Sequence, residues 1–257
     1  MLYVLKIGGN ILNQPASLEK ALDYFSSLGA AAILVHGGGR KADEVLRKMA
    51  QEPVMIDGRR ITDAATLKVV TMVYAGLLNK NIVAALQKRG VNAIGLSGAD
   101  GNLILANKRP VIDIDYGYAG DIISVNATFL NHLLALGLSP VLCSITHNGM
   151  GTLLNTNADT ITNKLAQALV NLGNTEVCIQ YCFELPGVLE DIRRPDSVIP
   201  QISPSSYRSL RSQNVISAGM LPKLDNAFTA LEAGVKKVMI GNIDALAAGK
   251  GTHIVPD

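Results

Sequence analysis

Three separated loops in this sequence carry residues that suit phosphoryl transfer. Lys6-Ile7-Gly8-Gly9 and His36-Gly37-Gly38-Gly39 each follow an apolar stretch, and Leu154-Asn155-Thr156-Asn157-Ala158-Asp159 lies further along the chain. A glycine-rich turn after a strand presents unhindered backbone N–H groups to an anion. In the third loop an amide and a carboxylate open a helix. The combination predicts a phosphoryl-transfer enzyme built from three loops.

Two lysines stand where their ammonium groups can meet a bound anion. Lys6 ends the first strand, and Lys223 begins a helix within Gly219-Met220-Leu221-Pro222-Lys223. At Lys223 the positive end of the helix dipole adds to the side-chain charge. Asp159, in the first turn of its own helix, can hold lysine side chains in place. The alternative is that each lysine is a solvated surface residue and that Asn157 only caps the helix.

A second group of polar residues suits a substrate that carries a carboxylate and an amide. Arg59 and Arg60 precede a helix, and a guanidinium fork can grip a carboxylate with two hydrogen bonds. Adjacent side chains seldom point the same way, so Arg59 is solvated if Arg60 faces the site. Asn155 can both donate to and accept from an amide. His36 is predicted to pack or hydrogen-bond rather than to act as a base.

Other enzyme classes are less well supported. A His-Gly-Gly-Gly turn also suits the oxyanion hole of a hydrolase, which needs a Gly-x-Ser-x-Gly elbow. Gly95-Leu96-Ser97-Gly98-Ala99 places the second glycine too early, so this remains a minor alternative. The P-loop, the Gly-x-Gly-x-x-Gly dinucleotide motif and the protein-kinase motifs do not occur in the sequence.

Composition indicates a globular protein with a small-molecule partner. The 257 residues are 48% hydrophobic, with a formal charge of +2 and no long basic run, so neither nucleic acid nor a membrane is expected as a partner. Cys143, Cys178 and Cys182 lie in apolar stretches and match no zinc spacing, which favours reduced thiols in a cytoplasmic protein. The sequence starts directly with a strand, and we expect neither a secretion signal nor a membrane span.

Apolar strands alternate with helical periods, which predicts an α/β fold: an open, mostly parallel sheet between two helical layers. A hairpin within 103–125, turning at Asp115–Tyr118, is expected over the sheet as a possible lid. A lobe boundary is expected near 171–174. The expected strands are 2–7, 31–35, 141–145, 176–181 and 237–240, the last in the chain. The expected helices are 18–28, 41–49, 64–88, 158–170 and 220–233.

In combination the motifs resemble the amino acid kinase family, and within it the branch that phosphorylates N-acylated glutamate in arginine biosynthesis. The matching motifs are Lys6-Ile7-Gly8-Gly9, His36-Gly37-Gly38-Gly39, Arg60-Ile61-Thr62, Asn155-Thr156-Asn157-Ala158-Asp159 and Gly219-Met220-Leu221-Pro222-Lys223. The resemblance covers essentially the whole chain. It implies a three-layer αβα sandwich with an acyl-amino-acid lobe at 1–172 and an ATP lobe at 173–257.

The resemblance also implies roles for individual residues. Lys6 and Lys223 neutralise the migrating phosphoryl group, Asp159 orients both lysines, and Gly8, Gly9 and Gly38 donate backbone N–H groups. The acylated glutamate is bound by Gly38, Gly39, Arg60 and Asn155. The nucleotide is contacted at Gly8, Gly9, Glu184, Gly187 and Ser217. ATP brings its own Mg²⁺, because the sequence has no self-contained cation loop. The attacking carboxylate is ionised at neutral pH and needs no base.

Several points stay open at this stage. Such kinases have an aspartate where this sequence has Glu184, within Tyr181-Cys182-Phe183-Glu184-Leu185-Pro186-Gly187-Val188. The helical extension of the hexameric, arginine-inhibited branch is absent, so we expect a homodimer with little arginine feedback. The acyl group could be acetyl or succinyl, and acylated aminoadipate is a further alternative substrate. A non-catalytic nucleotide or amino-acid sensor on the same fold is an alternative of another class.

Overall fold

The computed structural model of the protein describes residues 1–29, 32–56, 59–173, 175–213, 215–216 and 220–257. Some residues singled out in the sequence lie outside this part: Ala31, Gly58, Asn174, Ser217 and Gly219.

The described chain alternates strands and helices through most of its length. The strands are β1 Leu2–Ile7, β2 Ala32–His36, β3 Met55–Ile56, β4 Arg59–Arg60, β5 Ala93–Leu96, β6 Ile104–Lys108, β7 Gly120–Val125, β8 Ser139–Cys143, β9 Ile145–His147, β10 Leu153–Asn155, β11 Val177–Cys182, β12 Gln201–Ile202, β13 Lys237–Gly241 and β14 Thr252–Ile254. The helices are α1 Gly9–Asn13, α2 Pro15–Ser27, α3 Gly39–Lys48, α4 Ala64–Thr71, α5 Asn79–Gln87, α6 Ala127–Ala135, α7 Ala158–Asn171, α8 Pro204–Ser212, α9 Leu221–Glu232 and α10 Ile243–Ala247. A π-helical segment covers Met72–Leu78, and a 3₁₀ turn covers Asp100–Asn102.

Eight strands form the central sheet, in the order β12-β14-β13-β11-β1-β2-β8-β5. All neighbouring pairs are parallel except β13 with β14. Lys6 is in register with Val35 on one side and with Tyr181 on the other, so β1, β2 and β11 end level with one another. The loops that follow these three strands therefore meet at one edge of the sheet, where ligands bind in open α/β sheets.

Helices cover both faces of this sheet. Because successive side chains of a strand alternate, Val4 packs with α6, α7 and α9 in one buried cluster, and Leu5 packs with α1, α2, α5 and α10 in another. Burying apolar surface on both sides stabilises the sandwich. The predicted αβα layering is confirmed.

A second sheet of four strands, in the order β10-β9-β6-β7, contains the predicted hairpin. β6 and β7 pair antiparallel with a bulge at Leu105/Ala106. The segment between them is fixed to the chain after β4, since Thr62 N donates to Tyr116 O at 3.1 Å and Tyr118 N donates to Thr62 O at 2.6 Å. The hairpin is confirmed, and its use as a lid stays a prediction.

The predicted long helix is present as α4, the π-helical segment and α5 in succession. Asp63 caps it, accepting from Thr66 N at 2.7 Å. The stretch Ala64–Gln87 is long and apolar enough to cross a membrane, whereas we expected no membrane span from the sequence. Val70, Ile82 and Leu86 are nevertheless buried within the protein, as in the core helix of a globular domain.

Several predicted boundaries differ from the structure. The strand expected at 141–145 is divided between β8 and β9 at Ser144, and the strand expected to be last is followed by β14. The sequence analysis also missed β5, α6, α8, α10 and β12. β11, beyond the expected lobe boundary, pairs with β1, so one sheet continues across it. The division into lobes 1–172 and 173–257 stays a prediction. All three cysteines are free and buried.

Candidate active site

An open cavity of about 500 Å³ lies at the carboxyl ends of β1, β2 and β11. Its walls come from the loops after these strands, from β4 and from the starts of α7 and α9. Most of the predicted site residues line it: Lys6, Gly8, Gly9, Gly38, Gly39, Arg60, Asn155, Asp159, Glu184 and Lys223. Loops far apart in sequence are thus brought together as expected.

Two lysines and one carboxylate form the charged centre of the cavity. Lys6 Nζ lies 2.8 Å from Asp159 Oδ1, an ion pair that lacks hydrogen-bond geometry, and both side chains are largely buried. Lys223, at the start of α9, lies above the Phe183 ring, with Nζ 5.8 Å from its centroid. Burial lowers the pKa of Lys223, and the Lys6 charge lowers it further, while Asp159 and Glu184 act in the opposite direction. The two ammonium groups at this centre suit the negatively charged oxygens of a phosphoryl group.

Asn157 both begins α7 and presents Asp159. Its Oδ1 accepts from Asp159 N at 2.8 Å and from Thr160 N at 3.2 Å. These two bonds satisfy two of the free N–H groups of the first helical turn. The capping interpretation is confirmed, and the cap also fixes Asp159, the residue paired with Lys6. The functional interpretation of this loop stays a prediction.

The two glycine turns differ in how they present their amides. Gly8 lines the cavity, but its N–H donates to Cys182 O at 2.9 Å, so the donation predicted for it does not match this geometry. Gly9 begins α1, where first-turn N–H groups have no intrahelical partner. Gly38 has no room for a side chain, because an added Cβ would lie 2.5 Å from Leu78 Cδ1 and 2.6 Å from Tyr74 Cδ1. We therefore expect Gly9, rather than Gly8, to donate to an anion.

Arg60 also lines the cavity and is fixed by hydrogen bonds. Its Nη1 lies 2.5 Å from Asp43 Oδ1, and its Nη2 donates to Gly39 O at 3.2 Å. Burial acts to lower the pKa of Arg60, but hydrogen bonds with Asp43 and Tyr74 raise it above the usual value. Arg59 also lines the cavity but is exposed, whereas Arg60 is buried, so the two adjacent side chains differ in exposure as expected.

Asn155 is oriented by the segment that follows β4. Its Nδ2 donates to Thr62 Oγ1 at 3.0 Å, and its backbone N donates to Tyr118 O at 2.9 Å. With the amide nitrogen engaged, the amide oxygen is the atom suited to accept a hydrogen bond from a ligand N–H.

His36 supports the site from beneath. The ring is fully buried, with Nδ1 2.8 Å from Gly37 O and Nε2 3.1 Å from Asn79 Nδ2. Burial lowers the pKa of His36 to about 4, so the ring is neutral, donating from Nδ1 and accepting at Nε2. The prediction that His36 packs and hydrogen-bonds is confirmed.

Of the residues predicted to contact the nucleotide, some line the cavity and others do not. Glu184 lines the cavity, whereas Gly187 does not and is instead packed so that an added Cβ would lie 2.6 Å from Val198 Cγ1 and 2.8 Å from Thr252 Oγ1. Ser217 lies outside the residues described. Ser97 of the weak hydrolase motif does not line the cavity and donates to Asp100 at 2.7 Å.

Asp43 and Tyr74, two side-chain partners of Arg60, were not predicted from the sequence. Both line the cavity. Asp43 is four residues after Gly39 and therefore on the same face of α3, a spacing that could have indicated it. Tyr74 lies in the π-helical segment, within an apolar stripe that indicated only a core helix.

Comparison with known proteins decides the family. The family model described as "Amino acid kinase family" matches residues 1–242. This chain belongs to the amino acid kinase family. An acetylglutamate kinase from Phocaeicola vulgatus is 51% identical over 253 residues, covering 98% of each chain. An acetylglutamate kinase from Cytophaga hutchinsonii is 53% identical over 246 residues, covering 95% of this chain and 92% of the relative.

A solved structure shares this fold. The crystal structure of smu.665 from Streptococcus mutans UA159 superimposes with a TM-score of 0.80 at 26% identity, covering 100% of this chain and 99% of that one. As an amino acid kinase, the protein is an enzyme that uses ATP.

Proposed function

We propose that this amino acid kinase is an acetylglutamate kinase, which transfers the γ-phosphoryl group of ATP to the side-chain carboxylate of N-acetyl-L-glutamate. The relatives of about 50% identity over nearly the whole chain carry that name. The observation that carries the proposal is that Lys6, Asp159 and Lys223 share one cavity with Arg60 and Asn155. The lysines suit a phosphoryl group, and Arg60 and Asn155 suit an acylated amino acid.

The substrate contacts follow from the fixed polar groups. Arg60, held by Asp43, binds the α-carboxylate, and Asn155 accepts from the N–H of the acetylated amine. Gly38 and Gly39 form the wall beside them. These four residues orient the side-chain carboxylate toward the lysines.

Phosphoryl transfer then needs alignment and charge stabilisation. The attacking carboxylate is already ionised at neutral pH, so no general base is required. Lys6 and Lys223 neutralise the charge of the transferred group, Gly9 donates its N–H, and Asp159 keeps Lys6 in place. Mg²⁺ enters bound to ATP. Among the residues described, no cluster of three or more His, Cys, Asp or Glu side chains is placed to hold a metal by itself.

An assay that compares acceptors tests this proposal. The purified protein is incubated with ATP, Mg²⁺ and either N-acetylglutamate, N-succinylglutamate, N-acetyl-aminoadipate or free glutamate, while hydroxylamine traps the acyl phosphate. We expect one hydroxamate per ADP with N-acetylglutamate and the highest kcat/KM for that acceptor. Preference for the succinyl or aminoadipate compound overturns the acetyl assignment but keeps the kinase. No product with any acceptor indicates a sensor.

We further propose that the protein is a homodimer in the cytoplasm with little arginine feedback. The helix run 64–87 exposes apolar side chains, with Met72 57% and Leu77 45% accessible, which suits a protein interface. Buried free thiols suit a reducing compartment. Light scattering is expected to give twice the chain mass of 27.2 kDa. A hexamer, or strong inhibition by arginine, contradicts this proposal.

A further inference from the structure

Tyr181 carries a hydroxyl group that the fold does not explain. The side chain is only 1% exposed, and its oxygen has no hydrogen-bond partner among the residues that the structure describes. Buried hydroxyls are nearly always paired, because leaving one unpaired costs its full desolvation. A phenylalanine would fill the same space without that cost, so the hydroxyl needs another reason.

The position of Tyr181 places it beneath the charged centre. It lies directly beside Lys6 in the register of β11 with β1. Val177, Ile179 and Tyr181 alternate onto the face that α7 and α9 cover. Burial raises the pKa of Tyr181 well above its usual value, and the neighbouring charge of Asp159 raises it further, so the hydroxyl is protonated and can donate.

Asp159, in contrast, has a carboxylate oxygen that could accept a hydrogen bond. Its Oδ1 is buried and lacks a hydrogen bond within the described part of the chain, although Lys6 Nζ lies 2.8 Å away as an ion pair. A buried hydroxyl without an acceptor therefore lies near a buried carboxylate oxygen that has an ion pair with Lys6 but no hydrogen bond. Lys6 is also the residue that must reach the transferred phosphoryl group, and doing so draws its charge away from Asp159.

We propose that Tyr181 is a positioning residue, whose hydroxyl donates to the Asp159 carboxylate when Lys6 turns toward the transferred phosphoryl group. The bond keeps Asp159 ionised and oriented while its ion pair with Lys6 is loosened. The hydroxyl thus acts in the transition state rather than in substrate binding. This inference rests on the proposed kinase activity and adds a residue to it.

Tyr181→Phe tests the proposal by separating catalysis from stability. We expect kcat to fall about tenfold, because a hydrogen bond to a charged group is lost in the transition state. KM for ATP and for N-acetylglutamate should stay within twofold. Tm should be unchanged or higher, since no hydrogen bond of the resting protein is removed. A merely structural hydroxyl would leave kcat unchanged.

Tyr24→Phe is a matched control. The Tyr24 hydroxyl exchanges hydrogen bonds of 2.8 and 3.1 Å with Gln180, the neighbour of Tyr181 on the opposite face of β11. Removing it should lower Tm by about 3 °C and leave kcat unchanged. Tyr181→Phe is thus expected to lower kcat without lowering Tm, and Tyr24→Phe is expected to lower Tm without changing kcat.

A double-mutant cycle identifies the partner. If Tyr181 acts through Asp159, adding Tyr181→Phe to Asp159→Asn should lower kcat no further, whereas independent effects would multiply. If the wild type forms acyl phosphate and the kcat of Tyr181→Phe is within twofold of the wild-type value, this inference is wrong but the proposed function stands. The inference is also wrong if the losses in kcat of the two single variants multiply in the double variant. A wild-type protein that forms no acyl phosphate refutes the proposed function, and this inference with it.

Discussion

At the scale of single residues, the site is a set of charges that are only partly balanced. Asp159 pairs with Lys6, and Asp43 pairs with Arg60, which leaves Lys223 as a partly buried cation without a salt bridge among the described residues. A partly buried ammonium without a salt bridge carries a desolvation cost in the resting protein. In the proposed mechanism this cost is offset most strongly in the transition state of phosphoryl transfer, which is the differential binding that catalysis requires.

The lowered pKa of Lys223 predicts how activity depends on pH. The protonated amine is the active form, so kcat/KM should decline as pH rises through a value below the ordinary lysine pKa of 10.5. The same decline in kcat should come at higher pH, because bound phosphates favour the ammonium.

Lys223→Arg, measured over the same pH range, is the matched variant. A guanidinium keeps its charge throughout this range, so the alkaline decline of kcat/KM should disappear even if the rate is lower. An unchanged alkaline decline in the arginine variant would show that another group titrates.

Only some of these residues could be predicted from the sequence. Lys6, Asp159 and Lys223 were predicted because each stands at the end of a strand or the start of a helix, a position visible in the chain. Asp43 and Tyr74 were not, because their partner Arg60 approaches them only after folding. The N–H of Gly8 was predicted to donate to an anion, but it donates to Cys182 O and so continues the pairing of β1 with β11.

At the scale of elements, the hairpin is connected to the site through Thr62. The Thr62 N–H and C=O pair with Tyr116 and Tyr118, and its hydroxyl accepts from Asn155. Gly117 makes this approach possible, since an added Cβ would lie 2.2 Å from Thr62 O and φ at this glycine is +63°. The hairpin thus fixes Asn155 and the chain beside Arg60, two of the four residues expected to bind the acylated amino acid.

Gly117→Ala should therefore weaken substrate binding. The methyl group forces the hairpin away from Thr62, so we expect KM for N-acetylglutamate to rise about tenfold, or about 1.4 kcal/mol, with KM for ATP little changed. Steady-state kinetics with each substrate varied in turn measures this.

Gly137→Ala is the control for backbone strain. Gly137 has φ of +73°, and nothing lies within 4 Å of an added Cβ. Alanine there should cost about 1 kcal/mol of stability and leave both KM values unchanged. Equal KM values in the Gly117→Ala variant and the wild type would show that the hairpin does not position the site.

Element types could be predicted where the pattern is local. Apolar strands followed by glycine turns identified β1 and β2, and helical spacing identified α7 and α9. The π-helical segment could not be predicted, because the apolar spacing of 64–88 continues through it without interruption. β12 and β14 are short strands that carry too few residues to show alternation.

At the scale of the whole molecule, one continuous sheet explains how distant loops form one site. β11 lies beside β1, and β2 lies on the other side of β1, although β11 is far from both in sequence. The alternation of strands and helices predicted a parallel sheet, but the strand order depends on long-range pairing that no local pattern encodes. The convergence of the motifs was therefore implied by the family resemblance and then observed in the fold.

In the proposed function, the lysines of this cavity enable phosphoryl transfer to N-acetylglutamate. The most direct measurement is the rate of acyl phosphate formation by Lys6→Met and by the wild type, at saturating ATP and N-acetylglutamate, with substrate affinity measured by calorimetry. We predict a loss of about a hundredfold in kcat, near 3 kcal/mol of barrier, with affinity for N-acetylglutamate nearly unchanged. A variant that retains kcat within threefold of the wild type would show that Lys6 does not stabilise the transferred group.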